Sequence, residues 1–160
     1  MGDFEKFYNS SLRFLSYRPR SEKEIREKLK RKKAEPLVIE KVIAKLKEQR
    51  FINDEEFARW WIEQRTNFKP RSLRLIKIEL RQKGISQEVI EEVINDSRLM
   101  INDLEQAKKL VEKRITRFRN KFGMTREKIY QKLGGYLASK GFDWDIIKQS
   151  IDYVQSHERS

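Results

Sequence analysis

An internal repeat limits the folds open to this chain more strongly than any other feature of the sequence. When Pro19-Arg20-Ser21 is aligned with Pro70-Arg71-Ser72, an offset of 51 residues, the apolar positions that follow coincide without a gap. The matched pairs are Ile25 and Ile76, Leu29 and Leu80, Val38 and Val89, Ile39 and Ile90, Val42 and Val93, and Ile43 and Ile94. An offset of 57 residues places Lys140-Gly141-Phe142 on Lys83-Gly84-Ile85 and gives a third copy. The sequence therefore predicts three tandem units.

The spacing of the apolar residues predicts that each unit is helical. These residues recur at intervals of three, four and seven, which places them on one face of a helix, and the alternation typical of a strand is absent. Ser21-Glu22-Lys23-Glu24 has the form of a capping box, so a helix is expected to begin there. Gly84 and Gly141 are expected to end helices in the left-handed conformation. The next helix of each unit is expected to follow Glu35, Ser86 and Asp143, with Pro36 as the first helical residue.

A further helix is expected to precede each of these pairs, which gives an all-α fold of three tandem three-helix repeats. The predicted domains are residues 1–52, 53–97 and 98–155, followed by a disordered tail at 156–160. Charged residues make up 39% of the chain and hydrophobic residues 38%, which indicates more surface than a sphere requires. We therefore expect an elongated, curved, right-handed arrangement. Gly134 and Gly135 fall inside a predicted helix, which is either frayed or closely packed there.

The composition favours a binding protein over an enzyme. The formal net charge of +12 favours an acidic partner or a polyanion. The chain has no cysteine, and its one histidine, His157, lies near the end, so thiolate chemistry and a Ser-His-Asp triad are excluded. No glycine-rich phosphate loop or zinc motif is present. We expect no catalytic residue, no cofactor, no metal and no membrane span, and a cytoplasmic location. The carboxylates at 54–56, 143 and 145 are interpreted as helix N-terminal residues rather than Mg²⁺ ligands.

Basic residues at helical spacing form the candidate binding site. Lys23, Arg26, Lys30 and Lys33 recur at intervals of three, four and three, so they line one side of the predicted second helix. Adding 51 gives Arg74, Lys77, Arg81 and Gly84, of which the first three are basic again. We call these seven basic residues the basic stripe and predict that they bind nucleic acid phosphates or an acidic groove. The alternative is an ordinary solvated helix face.

The aromatic residue Phe68 allows two interpretations. It lies beside Lys69 before Pro70, so an exposed ring there could stack on an unpaired base. The favoured interpretation is that the ring closes over the end of the preceding helix.

Several strings of residues resemble the regulatory protein RecX family, in their order as well as their composition. They are Arg18-Pro19-Arg20-Ser21-Glu22-Lys23-Glu24-Ile25-Arg26-Glu27-Lys28-Leu29, Val42-Ile43-Ala44-Lys45-Leu46, Phe51-Ile52-Asn53-Asp54-Glu55-Glu56-Phe57-Ala58 with Arg65, Glu79-Leu80-Arg81-Gln82-Lys83-Gly84-Ile85 and Leu137-Ala138-Ser139-Lys140-Gly141-Phe142. The resemblance runs from about residue 8 to about residue 152.

This resemblance implies a negative regulator of the RecA recombinase. Such a protein lies in the groove of the RecA filament on single-stranded DNA and inhibits ATP hydrolysis, strand exchange and co-protease activity. It is expected to be a monomer with weak, non-specific DNA binding through its basic surface. Two other classes remain open from the residues alone: a helix-turn-helix-like DNA-binding regulator, and a helical scaffold that docks an acidic protein.

Overall fold

The computed structural model describes residues 2–96, 101–119, 121 and 123–157, and within these ranges the chain is helical and contains no strand. Three helices fall in each predicted repeat, which confirms the all-α plan of three three-helix repeats. Their bounds are α1 Asp3–Tyr17, α2 Glu22–Arg31, α3 Pro36–Glu48, α4 Asp54–Asn67, α5 Leu73–Gln82, α6 Gln87–Ile94, α7 Asp103–Arg119, α8 Arg126–Ser139 and α9 Trp144–His157.

The described residues group into two compact units, and neither unit coincides with a single repeat. Unit one contains the chain up to Trp61 together with Glu79–Asp96. Unit two contains Ile62–Ile78 and the described residues that follow Asp96. The middle repeat is therefore shared, because α4 and α5 each contribute one part to unit one and the other part to unit two.

The helices begin where local side-chain chemistry predicts. The Ser21 hydroxyl accepts a hydrogen bond from the Glu24 backbone N–H at 3.2 Å, and the Glu24 carboxylate accepts one from the Ser21 N–H at 3.1 Å. These two bonds complete the capping box at the start of α2. The Ser86 hydroxyl caps α6 by accepting from the Val89 N–H at 3.2 Å. Pro36 is the first residue of α3, where its missing N–H leaves no intrahelical bond unmade.

The second helix of each repeat ends in the same turn. The left-handed residue of this turn is Lys33 in the first repeat (φ 63°), Gly84 in the second (φ 83°) and Gly141 in the third (φ 86°). In each case the following N–H bonds back to a carbonyl five residues earlier, as in a Schellman motif; the bonds are Ala34 to Leu29, Ile85 to Leu80 and Phe142 to Leu137. The predicted roles of the two glycines are confirmed.

A second requirement for glycine appears at Gly141, where the preceding repeat approaches the turn. The Ser72 N–H donates to the Lys140 carbonyl at 3.0 Å. A Cβ at Gly141 would lie 2.4 Å from the Ser72 hydroxyl oxygen and 3.0 Å from the Leu75 Cβ. Glycine at this turn therefore meets both the backbone conformation and the lack of space.

The apolar positions matched between repeats form the interior. Ile25, Leu29, Ile76 and Leu80 are each at most 1% exposed, which confirms that the repeated pattern marks buried helix faces. The core of unit one includes Phe7, Ile25, Leu29, Ala34, Ile39, Val42, Ile43, Leu46 and Ile52. The core of unit two includes Ala107, Leu110, Val111, Ile115, Phe118, Leu133, Leu137, Phe142, Ile147, Ile151 and Val154.

The two glycines of α8 behave differently from each other. The helix continues through both, so the frayed alternative is wrong. Gly134 is buried, and a Cβ there would meet the Trp144 ring at 3.8 Å. Gly135 is exposed, and a Cβ there would find no atom within 4 Å.

The third repeat extends slightly further than the sequence predicts. Helix α9 reaches His157, so the first two residues of the predicted tail at 156–160 are helical. The last three residues of that tail, and the predicted boundary at 97–98, lie outside the described residues. None of the helices described combines the length and the apolar composition that crossing a bilayer requires.

Candidate partner-binding surface

The structure places six residues of the basic stripe on helices and one in a turn. Arg26 is half-buried and the other six residues are exposed. Lys23, Arg26 and Lys30 lie on α2, Lys33 follows it in the left-handed turn, and Arg74, Lys77 and Arg81 lie on α5. Lys23, Arg26, Lys30, Lys33 and Arg81 belong to unit one, whereas Arg74 and Lys77 belong to unit two.

Arg26 is held between two carboxylates of its own unit. Its guanidinium forms a bidentate pair with Glu40, with one of the two bonds at 3.1 Å, and its Nε lies 3.4 Å from a Glu22 carboxylate oxygen. The hydrogen bond that Arg26 donates to Glu40 raises the pKa of Arg26, and the same bond lowers the pKa of Glu40. The charge of Arg26 is therefore already compensated inside the protein.

Lys23 is also engaged inside unit one. Its Nζ donates a hydrogen bond to the Gln82 carbonyl at 3.0 Å and lies 3.7 Å from the Glu27 carboxylate. Gln82 is the last residue of α5, so the ammonium lies at the negative end of that helix, where a cation is favourable.

Arg74 has the equivalent role in unit two. It occupies the position of Lys23 one repeat later, and its Nη2 donates to the Gly141 carbonyl at 3.1 Å, just after α8. Lys23 and Arg74 therefore each connect the second helix of one repeat to the end of the second helix of the next repeat.

A carboxylate accompanies each of these basic residues. Asp54, the first residue of α4, accepts a hydrogen bond from the Glu22 N–H at 3.0 Å. Asp103, the first residue of α7, accepts one from the Leu73 N–H at 2.8 Å. Each N–H belongs to the first turn of α2 or α5 and has no partner within its own helix. We call each such pair of connections, one through a basic residue and one through an aspartate, a repeat joint.

Asp54 and Glu24 have oppositely shifted pKa values. Burial raises the pKa of Asp54 above its usual range. Burial also acts to raise the pKa of Glu24, but hydrogen bonds from Arg18 and from the Ser21 N–H outweigh it, and the net pKa is lowered. Arg18 approaches the Glu24 carboxylate to 2.5 Å and Lys83 to 3.4 Å. Glu24 therefore serves the capping box and two ion pairs at once.

Four residues of the stripe have no direct polar contact inside the described protein, although the charge of Lys30 helps to lower the pKa of Glu40. Within the described part of the chain, no hydrogen bond or ion pair holds the side chain of Lys30, Lys33, Lys77 or Arg81. These four cations are exposed and available to a partner, in contrast to Lys23, Arg26 and Arg74.

Sequence reasoning missed a denser basic cluster on the other side of α2. Burial lowers the pKa of Lys28, and the nearby charges of Lys32, Arg20, Arg31 and Arg13 lower it further. The signal in the sequence was the run from Lys28 to Lys33, in which five of six residues are basic. Only the two residues in register with the stripe were selected from that run.

The Phe68 side chain does not pack as the favoured interpretation of the sequence predicts. Its ring is 67% exposed, so the interpretation that it closes over the end of α4 is wrong. Helix α4 ends one residue before Phe68, so the Phe68 ring lies on the loop.

Three family models match successive parts of the chain. They describe the first, second and third three-helix domains of RecX, and they match residues 8–46, 53–94 and 102–151.

Relatives and solved structures agree with these models. The chain is 31% identical over 153 residues to "Regulatory protein RecX" of Bacillus subtilis, covering 96% of this chain and 56% of that protein. It is 34% identical over 146 residues to "Regulatory protein RecX" of Finegoldia magna, covering 91% of this chain and 70% of that protein. The crystal structure of RecX from Lactobacillus salivarius superposes with a TM-score of 0.71 at 28% identity, covering 96% of this chain and 97% of that one.

A second crystal structure, of regulatory protein RecX, gives a TM-score of 0.74 at 29% identity over 93% of this chain and 73% of that one. The chain spans little more than half the length of the Bacillus subtilis relative.

Proposed function

Because this chain belongs to the RecX family of regulatory proteins, we propose that it is a negative regulator of the RecA recombinase. It binds in the groove of the RecA filament on single-stranded DNA and inhibits ATP hydrolysis, strand exchange and co-protease activity. The observation that carries this proposal is the match of all three three-helix domains in the family's order. The relatives are named regulatory proteins, which agrees with a role without catalysis of its own.

A contact with a negatively charged partner is supported by Lys30, Lys33, Lys77 and Arg81. Lys30 and Arg81 occupy equivalent positions of α2 and α5, Lys77 lies one turn before Arg81, and Lys33 follows α2. No carboxylate of the described chain forms an ion pair with any of these four residues. Exposed cations at regular spacing attract acidic surfaces and DNA phosphates over several ångströms. We assign the contact with the filament or its DNA to these four residues.

The other three residues of the stripe have a supporting role in this proposal. A partner would have to break existing bonds to use Lys23, Arg26 or Arg74. These residues hold the helices on which the free cations stand. Their loss is therefore expected to reduce stability as well as binding.

Inhibition follows from occupancy of the groove. A helical chain lying along the groove excludes the second DNA strand and the co-protease substrate from the same space. It also opposes the changes between protomers that accompany ATP hydrolysis. The same basic residues give weak, salt-sensitive DNA binding without sequence preference, because phosphate contacts carry no sequence information.

The test is ATP hydrolysis by the cognate RecA on single-stranded DNA, titrated with this protein at low and moderate salt. We expect the wild type to inhibit. The double variant Lys77→Glu and Arg81→Glu should inhibit at least about tenfold more weakly. Each phosphate contact on single-stranded DNA contributes about 0.7 to the slope of log affinity against log salt concentration. If both cations contact phosphates, the magnitude of this slope should therefore decrease by about 1.4 in the double variant.

The matched control is Lys109→Glu with Lys113→Glu. This pair has the same spacing on α7, both residues are exposed, and the change in net charge is identical. The control should inhibit like the wild type. Equal loss in both double variants would show that only total charge matters and would contradict the assignment to α5. No inhibition by a folded wild-type protein would contradict the proposed function itself and favour a DNA-binding regulator or a scaffold.

A further inference from the structure

Unit one has a small pocket between α1 and the C-terminal end of α2, outside the basic stripe. It is lined by Lys6, Phe7, Asn9, Ser10, Arg13 and Lys32. Three of these residues are cationic, one carries a hydroxyl and one an amide, and none of them is acidic. The buried Phe7 ring supplies an apolar base to the pocket.

The polar groups of the pocket are arranged as donors. The Lys32 Nζ lies 2.6 Å from the Ser10 hydroxyl oxygen, which fixes the ammonium at the pocket. An ammonium has three donors, so two remain for a ligand. The Lys6 Nζ lies 5.4 Å from the centroid of the Phe7 ring.

The surroundings of the pocket are positive and lack compensation. No ion pair within the described ranges joins Arg13, Lys28, Arg31 or Lys32 to a carboxylate. Lys28 and Arg20 both lie against the Phe14 ring, at 3.8 Å and 3.7 Å from its centroid.

The crowding of cations bears on the pKa of Lys28. Burial is the largest cause that lowers the pKa of Lys28, and the charges of neighbouring cations lower this pKa further. The protein therefore holds like charges together at a cost, and a bound anion would relieve that cost.

We propose that this pocket is a binding site for a phosphate oxyanion. Lys32, Arg13 and Lys6 supply the charge, and the Ser10 hydroxyl and Asn9 amide supply further hydrogen bonds. A phosphate has more oxygen acceptors than a carboxylate, so it can use donors arriving from both helices. The phosphate belongs either to a polynucleotide backbone or to a free polyphosphate. The site shares no residue with the basic stripe, so its test is independent of the proposed function.

The experiment uses the full chain labelled with ¹⁵N and inorganic tripolyphosphate as the probe. We expect the backbone amide signals of Asn9 and Ser10 to shift and saturate. In the double variant Arg13→Gln and Lys32→Gln, the affinity should fall at least about tenfold, because two charge-assisted contacts are lost. Both residues are exposed, so their neutralisation should leave the fold intact. Lys6→Gln is a second variant with the same expected direction and a smaller effect.

The control is Lys41→Gln with Arg50→Gln, an exposed pair of the same unit with the same loss of charge. It should bind tripolyphosphate like the wild type. Equal affinity of the wild type and the pocket variant, or shifts that grow linearly without saturation, would overturn the proposal.

Two further arms identify the source of the phosphate. If a thymidine oligonucleotide competes with tripolyphosphate for the Asn9 and Ser10 signals, the ligand is a polynucleotide backbone. If it leaves those signals unchanged while tripolyphosphate still saturates them, the ligand is a free polyphosphate. Equal binding of a polyglutamate peptide through the same signals would overturn the preference for phosphate.

Discussion

Lys23 packs so closely on Gly84 that a Cβ on the glycine would lie 2.6 Å from the lysine Cβ and 2.9 Å from its Cδ. The Nζ of the same lysine donates a hydrogen bond to the carbonyl of Gln82, two residues before Gly84. The left-handed turn after α5 is thus covered by the preceding repeat, as the turn after α8 is covered by Ser72 and Arg74.

We predict that Gly84→Ala destabilises the protein by about 2–5 kcal/mol. The left-handed backbone costs a non-glycine residue about 1–2 kcal/mol, and forcing a methyl group against the Lys23 stem adds about 1–3 kcal/mol. Urea denaturation followed by circular dichroism measures the change. The matched control is Gly135→Ala, which lies in an exposed helix interior with free space and should stabilise by about 0.5–1 kcal/mol. Equal effects of the two substitutions would contradict this account of the turn.

Lys33→Gly is predicted to stabilise the protein by about 0.5–1 kcal/mol. Lys33 has a φ of 63°, so glycine removes the left-handed strain, and the greater freedom of glycine in the unfolded chain offsets part of the gain. Lys33→Ala removes the same charge and keeps the strain, so it should give no gain. The thermal midpoints of the three proteins, measured together, separate the backbone effect from the charge effect. A midpoint for the glycine variant at or below that of the alanine variant would refute the prediction.

Asp103→Ala is predicted to cost about 1–2 kcal/mol of folding free energy. The substitution leaves the Leu73 N–H without the carboxylate oxygen that accepts its hydrogen bond at 2.8 Å. Asp103→Asn keeps an oxygen acceptor at the same place and should cost less than half as much. Denaturant unfolding of the two variants checks the difference, and equal losses would mean that charge, rather than the hydrogen bond, stabilises this joint.

Glu24→Gln is predicted to flatten the dependence of stability on pH under acidic conditions. The pKa of Glu24 is lowered in the folded protein, so its stabilising contribution is complete above its unfolded pKa of about 4.3 and is lost as pH falls through the folded value. The wild type should therefore be more stable than the variant at pH 7, and the difference should shrink towards pH 3.

Urea unfolding of both proteins at pH 7, 5, 4 and 3 measures this difference. The raised pKa of Asp54 acts in the opposite direction, but it is common to both proteins and cancels in the comparison. A difference between the two proteins that does not change with pH would contradict the role of the Glu24 charge.

The elements that could be predicted from the sequence are those whose causes lie within a few residues. The capping box joins Ser21 to Glu24, and the left-handed turn at Gly84 bonds back to residues of the same helix. The burial of Ile25 and Leu80 follows from helical periodicity, which the repeat shows twice. Local chemistry and periodicity therefore sufficed for the helices and the core.

The state of the basic stripe could not be predicted because its partners lie far along the chain. Glu40, which neutralises Arg26, is 14 residues away, and the Gln82 carbonyl that engages Lys23 is 59 residues away. Periodicity shows which side chains share a helix face but not what faces them. The sequence thus indicated seven equivalent cations, whereas the structure separates three engaged residues from four free ones.

The repeat joints also have a consequence for building longer arrays. Glycine is required at the turn after a second helix when an earlier repeat presses on it, as at Gly84 and Gly141, whereas Lys33 ends the second helix of the first repeat. A residue other than glycine therefore occupies this turn in the repeat whose turn no earlier repeat of the described chain covers. A designed protein with an additional module fused ahead of α1 would need glycine at position 33 and a basic residue in the added module, and it would use Asp3, the first residue of α1, as the aspartate of the new joint.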